Sequence, residues 1–306
     1  MPTPNTADPW LALHLHYPGS PDALLREAVA PLVRRLRLRR LIVGWFFIRY
    51  WVEGSHVRLR LRPAAGDTET VRRLSTRWLS RYLGRNPSVK GLSAELPSQE
   101  ARRAMFVAEY GEAAWELAYG AAGMPERATN RCYPAEYVPE YDRYGGVDGV
   151  ELAEWHFERS SDAVLEVLDR HPTKSARLGL SVRMSAILCT AFLSDTTELA
   201  EFLVRYRDSW EPPSSRERLH EMYDATYDHS AEQLRRLIRS GPQWTEWSEH
   251  CRELRERAGG SVSLLWSYLH MTNNRLGVHT VDEAYVAHLI AAALTDGRER
   301  HVSGRA

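Results

Sequence analysis

The sequence predicts an α+β protein, with a small antiparallel sheet near the N-terminus and a largely helical C-terminal half. Three observations predict it. Apolar and polar residues alternate at period two in Trp10 to Tyr17 and again in His56 to Arg62. The run between them, Leu41 to Tyr50, is rich in β-branched and aromatic residues. Beyond Val150, apolar residues recur at helical spacing, and the breaks fall at prolines and paired glycines.

Trp10 to Tyr17 is the first strand. Pro18-Gly-Ser-Pro-Asp22 makes a turn with a helix cap, and Ala23 to Arg37 places Leu24, Leu25, Ala28, Leu32 and Leu36 on one helical face. Leu41 to Tyr50 and His56 to Arg62 form a hairpin about Glu53-Gly-Ser55. Helices are expected over 68–82 and 98–110. Residues 120–150 lack periodicity, and an irregular segment of that length within a domain is more often functional than idle. Further helices are expected over 151–170, 175–193, 195–208, 214–239, 243–258, 261–275 and 281–296. Their breaks lie at Pro172, Pro212-Pro213, Gly241-Pro242 and Gly259-Gly260. One domain spanning 1–306 accommodates these elements, with frayed tails at 1–8 and 297–306.

With 306 residues, 43% of them hydrophobic, the chain can bury a substantial core without disulfides or metals. Basic and acidic residues number 40 each, so the strong basic excess of a nucleic-acid binder is missing. Cys132, Cys189 and Cys251 are odd in number and far apart, which argues against a zinc site and a disulfide scaffold. The N-terminus lacks the basic start and apolar stretch of a signal peptide. The longest apolar runs are too short to span a bilayer. These features fit a reducing cytoplasm. No nucleophile elbow, phosphate-cradling glycine loop, H-E-x-x-H helix or dinucleotide fingerprint is present. No metal and no cofactor are expected.

Three groups of residues carry chemistry. On the second hairpin strand His56, Arg58, Arg60 and Arg62 share one face, while Val57, Leu59 and Leu61 point to the other. Three arginines in a row repel unless an anion or acidic side chains neutralise them, and the guanidinium fork fits carboxylate or phosphate. The competing reading is a solvated face with acidic partners across the strands. Arg49 and Tyr50 are expected beside this face. In Tyr137 to Gly146, Glu140 and Arg143 sit one helical turn apart, beside Tyr144, and Gly145-Gly146 ends the turn. The competing reading there is a structural loop with an internal ion pair. In Ser267 to Leu276, His270 has Ser267 one turn before it and Asn274 one turn after, with Tyr268 alongside. Such a histidine serves as a general acid or base with a neighbour fixing its tautomer. The competing reading is a core histidine satisfied by hydrogen bonds.

The order and wording of these groups resemble the thiopeptide-type bacteriocin biosynthesis family. The resemblance rests on W-L-x-L-x-L-x-Y, on Trp45 to Tyr50 followed by His56-Val-Arg58-Leu-Arg60, on Y-x-P-E-x-x-R-Y-G-G, and on H-M-x-x-N-R-L-G from His270 to Gly277. It covers about residues 9 to 296. The family includes the C-terminal glutamate-elimination domain of class I lantibiotic dehydratases, whose fold the resemblance implies here. It also includes the thiopeptide pyridine synthases. In the family, the arginines of the first motif, the arginine of the second and the histidine of the third hold a carboxylate, remove the Cα proton and stabilise the enolate. The resemblance therefore implies catalytic roles for Arg58, Arg60, Arg143 and His270. It implies binding or supporting roles for His56, Glu140, Tyr144, Ser267, Tyr268 and Asn274. Where relatives show Tyr-x-Asp-Pro-Gly-x-His, this chain has Tyr50-Trp-Val-Glu-Gly-Ser-His56, which implies a different hairpin at the mouth of the site.

The activity implied first is a free-standing lyase expelling glutamate from glutamylated Ser or Thr of a ribosomal precursor peptide. The alternative is a pyridine synthase joining two dehydroalanines by formal aza-[4+2] cycloaddition with release of the leader. A further alternative is a non-catalytic leader-binding subunit using the hairpin's open edge. The implied partners are the precursor peptide, leader and core, and a separate glutamylating dehydratase subunit. Direct nucleic-acid contact and membrane association are not expected, and a homodimer is compatible.

Overall fold

A computed structural model describes residues 9–88, 98–239 and 245–303; side chains are described except at 237–239 and 296–303. The chain divides into two compact units, Met1–Val138 and Pro139–Ala306.

The first unit is built on a four-stranded antiparallel sheet. Strand β1 is Leu11–His16. Ser20 caps the helix that follows, accepting a hydrogen bond from the Ala23 amide. That helix starts as α1, Pro21–Leu24, passes through a π turn at Leu25–Val29, and continues as α2, Ala30–Leu38. Strands β2, Ile42–Tyr50, and β3, His56–Pro63, form the expected hairpin. Its turn is tight: Glu53 and Gly54 take φ of +59° and +107°. Helix α3, Thr68–Arg85, follows, then α4, Gln99–Tyr110, and α5, Glu112–Ala118. The last strand, β4, is Arg131–Ala135. Strand order is β2-β3-β1-β4.

The two faces of this sheet differ in chemistry. Leu11, Leu13 and Leu15 of β1 stand opposite Leu61, Leu59 and Val57 of β3. All six are buried, as are Trp45 and Phe47 of β2 on the same face. Burying each such leucine stabilises the fold by about 1.5–3 kcal/mol. Helices α2 and α3 pack on the sheet, with Leu32, Leu36, Val71, Leu79 and Leu83 buried. A smaller core of Val52, Phe106, Trp115 and Met124 anchors the hairpin turn to α4 and α5.

The second unit is helical. Helix α6 is the single turn Tyr141–Tyr144, followed by α7, Val147–Leu168, and α8, Lys174–Phe192. Then come α9, Thr196–Trp210, α10, Arg216–Arg239, and α11, Thr245–Arg257. Helices α12, Leu265–Leu276, and α13, Thr280–Ser303, complete the unit. Helix α8 touches α10, α11, α12 and α13, which its run of buried small and apolar residues from Ser181 to Cys189 permits. No described helix is long and apolar enough to cross a membrane.

The breaks at Pro172, Pro212-Pro213 and Gly259-Gly260 fall where expected. The break at Gly241-Pro242 lies outside the described residues, as do 1–8 and 304–306. Three expectations need correction. Residues 120–150 are not featureless: they hold β4 and α6, and α7 begins at Val147. Strand β4 is five residues long and contains Pro134, tolerable only on an edge, so its pattern is weak. Gly149 hides the start of α7, because glycine lowers helix propensity. Finally, α13 continues past 296 to Ser303.

Candidate functional site

Antiparallel register decides what surrounds the arginine strand. His14 stands opposite Arg58, His16 opposite His56, and Ala12 opposite Arg60. On the other side Phe46, Ile48 and Tyr50 of β2 stand opposite Arg60, Arg58 and His56. The second face of the sheet is therefore a layer of imidazoles, guanidiniums and aromatic rings. Arg58 Cζ lies 3.3 Å above the Tyr50 ring, Arg60 faces Tyr137 at 5.5 Å and Arg62 faces Trp10 at 5.0 Å.

A solvated arginine face with acidic partners is thus corrected. His56 and Arg60 are each 5% exposed. Among the described residues, neither Arg58 nor Arg60 is ion-paired with a carboxylate. Arg60 Nη2 donates to His14 Nε2 and Nη1 donates to the Leu59 carbonyl, both at 3.4 Å, while its buried Nε has no hydrogen-bond partner. Burial, with Arg58 adjacent, lowers Arg60 to about 10, so it stays cationic at neutral pH. Arg58 Nε donates to His56 Nε2 at 3.4 Å, and His56 Nδ1 donates to the Gly54 carbonyl at 2.8 Å, which fixes that ring's tautomer. Arg49, expected beside this face, points the other way and pairs with Asp22 at 2.6 Å. The side chains alternate, so Arg49 follows Phe47 and Trp45 instead of Tyr50.

His14 and His16 were not singled out by the sequence. The signal was present: two histidines at i and i+2 of an alternating strand share a face. They stack with His56, ring centroids 5.0 and 4.3 Å away. Burial, aided by Arg60 and Arg58, pushes His14 down to about 2. Burial and the charge of Arg127 take His16 to about 4, and burial takes His56 to about 3. All three rings are neutral at pH 7. One ring nitrogen from each lies within 4.8 Å of the others, close enough to share a metal ion. The guanidiniums bonded to His14 and His56 oppose a cation there by like charge and by occupying those nitrogens. The arrangement suits an anion better.

In the second unit, Glu140 and Arg143 pair across α6 at 3.2 Å, as their spacing predicts. Both are well exposed, which agrees with an internal ion pair of a surface segment. Gly145 and Gly146 end the turn at φ of +76° and +99°. Tyr144 is buried against Phe157, and burial raises its phenol to about 12.

On α12, Ser267, His270 and Asn274 form the partly exposed stripe that i, i+3, i+7 spacing predicts. Tyr268 is off that stripe: it is wholly buried, packs against His156 and Phe192, and burial raises its phenol. The tautomer of His270 is set by a residue the sequence did not reveal. His270 Nδ1 donates to Glu283 of α13 at 3.0 Å. The other oxygen of Glu283 accepts a hydrogen bond from the Tyr206 hydroxyl, and the carboxylate is 1% exposed. Trp210 covers the imidazole at 4.9 Å. This carboxylate–imidazole pair leaves Nε2 to exchange a proton. No spacing rule links His270 to Glu283, because they sit on different helices.

The first unit thus joins neutral histidines to Arg58 and Arg60 on one sheet face, and the second holds a histidine on a buried carboxylate; together with the order of sheet and helices, they define the class of fold. Residues 10–294 match the model of the lantibiotic biosynthesis dehydratase C-terminal family, and the chain belongs to that family. It is similar in structure to the pyridine synthase TbtD from thiomuracin biosynthesis, at TM-score 0.74 and 20% identity, over 94% of this chain and 98% of that one. It is also similar to the tRNA-dependent lantibiotic dehydratase MibB from Microbispora sp. 107891, at TM-score 0.55 and 22% identity. That match covers 98% of this chain and 29% of MibB. TsrL matches at TM-score 0.58 and 17% identity over 95% of both chains. No curated protein is significantly similar in sequence.

Proposed function

We propose that the chain is a lyase that eliminates glutamate from glutamylated Ser or Thr of a ribosomal precursor peptide, leaving dehydroalanine or dehydrobutyrine. The observation that carries this reading is Arg60: a buried guanidinium beside Arg58, with no carboxylate partner among the described residues. Burying an unpaired cation is costly, so an anionic ligand is the natural complement. In the elimination a base removes the Cα proton, the Cβ–O bond breaks, and its electron pair leaves on the glutamate carboxylate. Arg58 and Arg60 of the first unit are the groups suited to stabilise that charge, and in the second unit His270, oriented by Glu283, is the group suited to accept a proton. Arg143 and Glu140 support the peptide, and the two compact units serve as one functional domain. A separate subunit supplies the glutamyl ester, and the reaction needs neither metal nor cofactor.

A second reading is favoured by a different observation. The match to TbtD spans nearly the whole of both chains, which supports a pyridine synthase acting on two dehydroalanines. Mass spectrometry separates the two. Purified protein is incubated with an O-glutamyl-seryl peptide and, separately, with a leader-bearing bis-dehydroalanine peptide. Loss of glutamic acid from the first supports elimination. Inertness toward the first with leader release from the second rejects elimination in favour of cycloaddition.

A further inference from the structure

Zero net charge conceals a division. The first unit carries 20 basic and 13 acidic residues in sequence, and the second carries 20 and 27. The excess of the first unit is concentrated. Residues 30–88 contain 14 arginines against Glu53, Asp67 and Glu69. Helix α2 and the turn after it expose Arg34, Arg35, Arg37, Arg39 and Arg40. Helix α3 exposes Arg72, Arg73, Arg77, Arg81 and Arg85. The helices are neighbours: Trp78 of α3 donates to the Ala28 carbonyl at 3.0 Å, and Arg35 lies 6.0 Å over the Trp78 ring.

Arg73, Arg77, Arg81 and Arg85 follow one another at i, i+4 along α3. Like charges at that spacing weaken a helix, so the stripe costs stability that an ordinary solvated face need not lose. It rises about 6 Å per step. Alternate side chains of an extended peptide are spaced about 6.7 Å apart, a near match. Two apolar residues close to these arginines in sequence are bare: Leu38 is 81% exposed at the end of α2, and Val43 is 55% exposed on β2. Strand β2 is also one of the two edge strands among the described residues of its sheet. A phosphate backbone has no use for an apolar footing, whereas a peptide has.

We propose that the α2–α3 arginine face docks an acidic peptide segment, with Leu38 and Val43 as its apolar footing. This rests on the peptide-modifying reading only for the class of partner, and its test measures binding, not turnover. Failure to eliminate glutamate therefore leaves it standing.

The full chain is titrated, at fixed low salt, with a fluorescent glutamate- and leucine-containing peptide and with an oligouridylate of equal charge. The expected result is saturable peptide binding that weakens with salt. The combined Arg73→Glu, Arg77→Glu and Arg81→Glu variant should bind about tenfold more weakly or worse, with unchanged circular dichroism. Leu38→Ser should weaken binding about threefold. Unchanged affinity in the triple variant overturns the proposal. So does tighter binding of the oligouridylate, which makes the face a nucleic-acid surface. A salt-sensitive dimer lost in the triple variant also overturns it, by making the acidic unit of a second copy the occupant.

Discussion

Arg60 reaches its place through ordinary strand alternation, yet its surroundings are unusual. A carboxylate beside it would cancel its charge, whereas neutral His14 orients it and leaves the charge for a ligand. Arg60→Met should therefore lower elimination about 100-fold or more while leaving the melting temperature unchanged or higher. A large fall in melting temperature would instead make Arg60 a structural residue. Arg58→Ala and His270→Ala should abolish turnover in a chain that stays folded, as circular dichroism would report. Glu283→Gln keeps the shape but removes the charge that stabilises an imidazolium on His270. It should lower kcat about 100-fold or more, with Tyr206→Phe milder. A Glu283→Gln enzyme with an unchanged kcat would sink this role. At this scale the sequence was half legible. Period-two spacing placed Arg58 and Arg60 on one face, and helical spacing placed Glu140 beside Arg143 and His270 in line with Ser267 and Asn274. These rules missed Glu283 because its partner lies on another helix, and they misplaced Arg49 because the face of β2 depends on its exact phase.

At the scale of elements, long amphipathic helices and the hairpin were legible because each repeats one rule over many residues. Strand β4 and helix α6 were not, since five and four residues carry too little pattern. The junction of α6 and α7 is the tightest place among the described glycines. A Cβ on Gly149 would lie 1.7 Å from the Tyr144 carbonyl oxygen. Gly149→Ala must push the two helices apart, although alanine favours helix elsewhere. We expect a loss of about 1–3 kcal/mol in denaturant unfolding. A stability gain of the size normal for Gly→Ala in a helix would show that the junction yields freely. Because α6 carries Arg143 and the buried Tyr144, the same variant should also impair turnover.

For the molecule as a whole, the buried histidines set a pH limit. His14, His16, His56 and His250 fall to about 2, 4, 3 and 3, and burial also lowers His156. Their unfolded values lie near 6.5. As pH falls, the unfolded chain binds protons before the folded one does. Stability is thus undiminished above about pH 6.5 and is lost below it, by up to about 1.4 kcal/mol per pH unit for each histidine. Urea midpoints at pH 7, 6 and 5 should decline steadily, and a flat series would contradict the neutral cluster. The sequence placed sheet and helices in the right order and named the family. It did not show that 40 basic and 40 acidic residues divide unevenly between the two units, because a sum carries no positions.

The π turn at Leu25–Val29 has an evolutionary consequence. A π turn holds one residue more than an α-helical path between the same ends. The surplus keeps both Leu24-Leu25 and Ala28-Val29-Ala30 buried within one continuous helix. A relative whose helix is regular there would be one residue shorter. Alignments forced through this helix without a gap would then lose phase on one side of it, scoring equivalent core positions as mismatches.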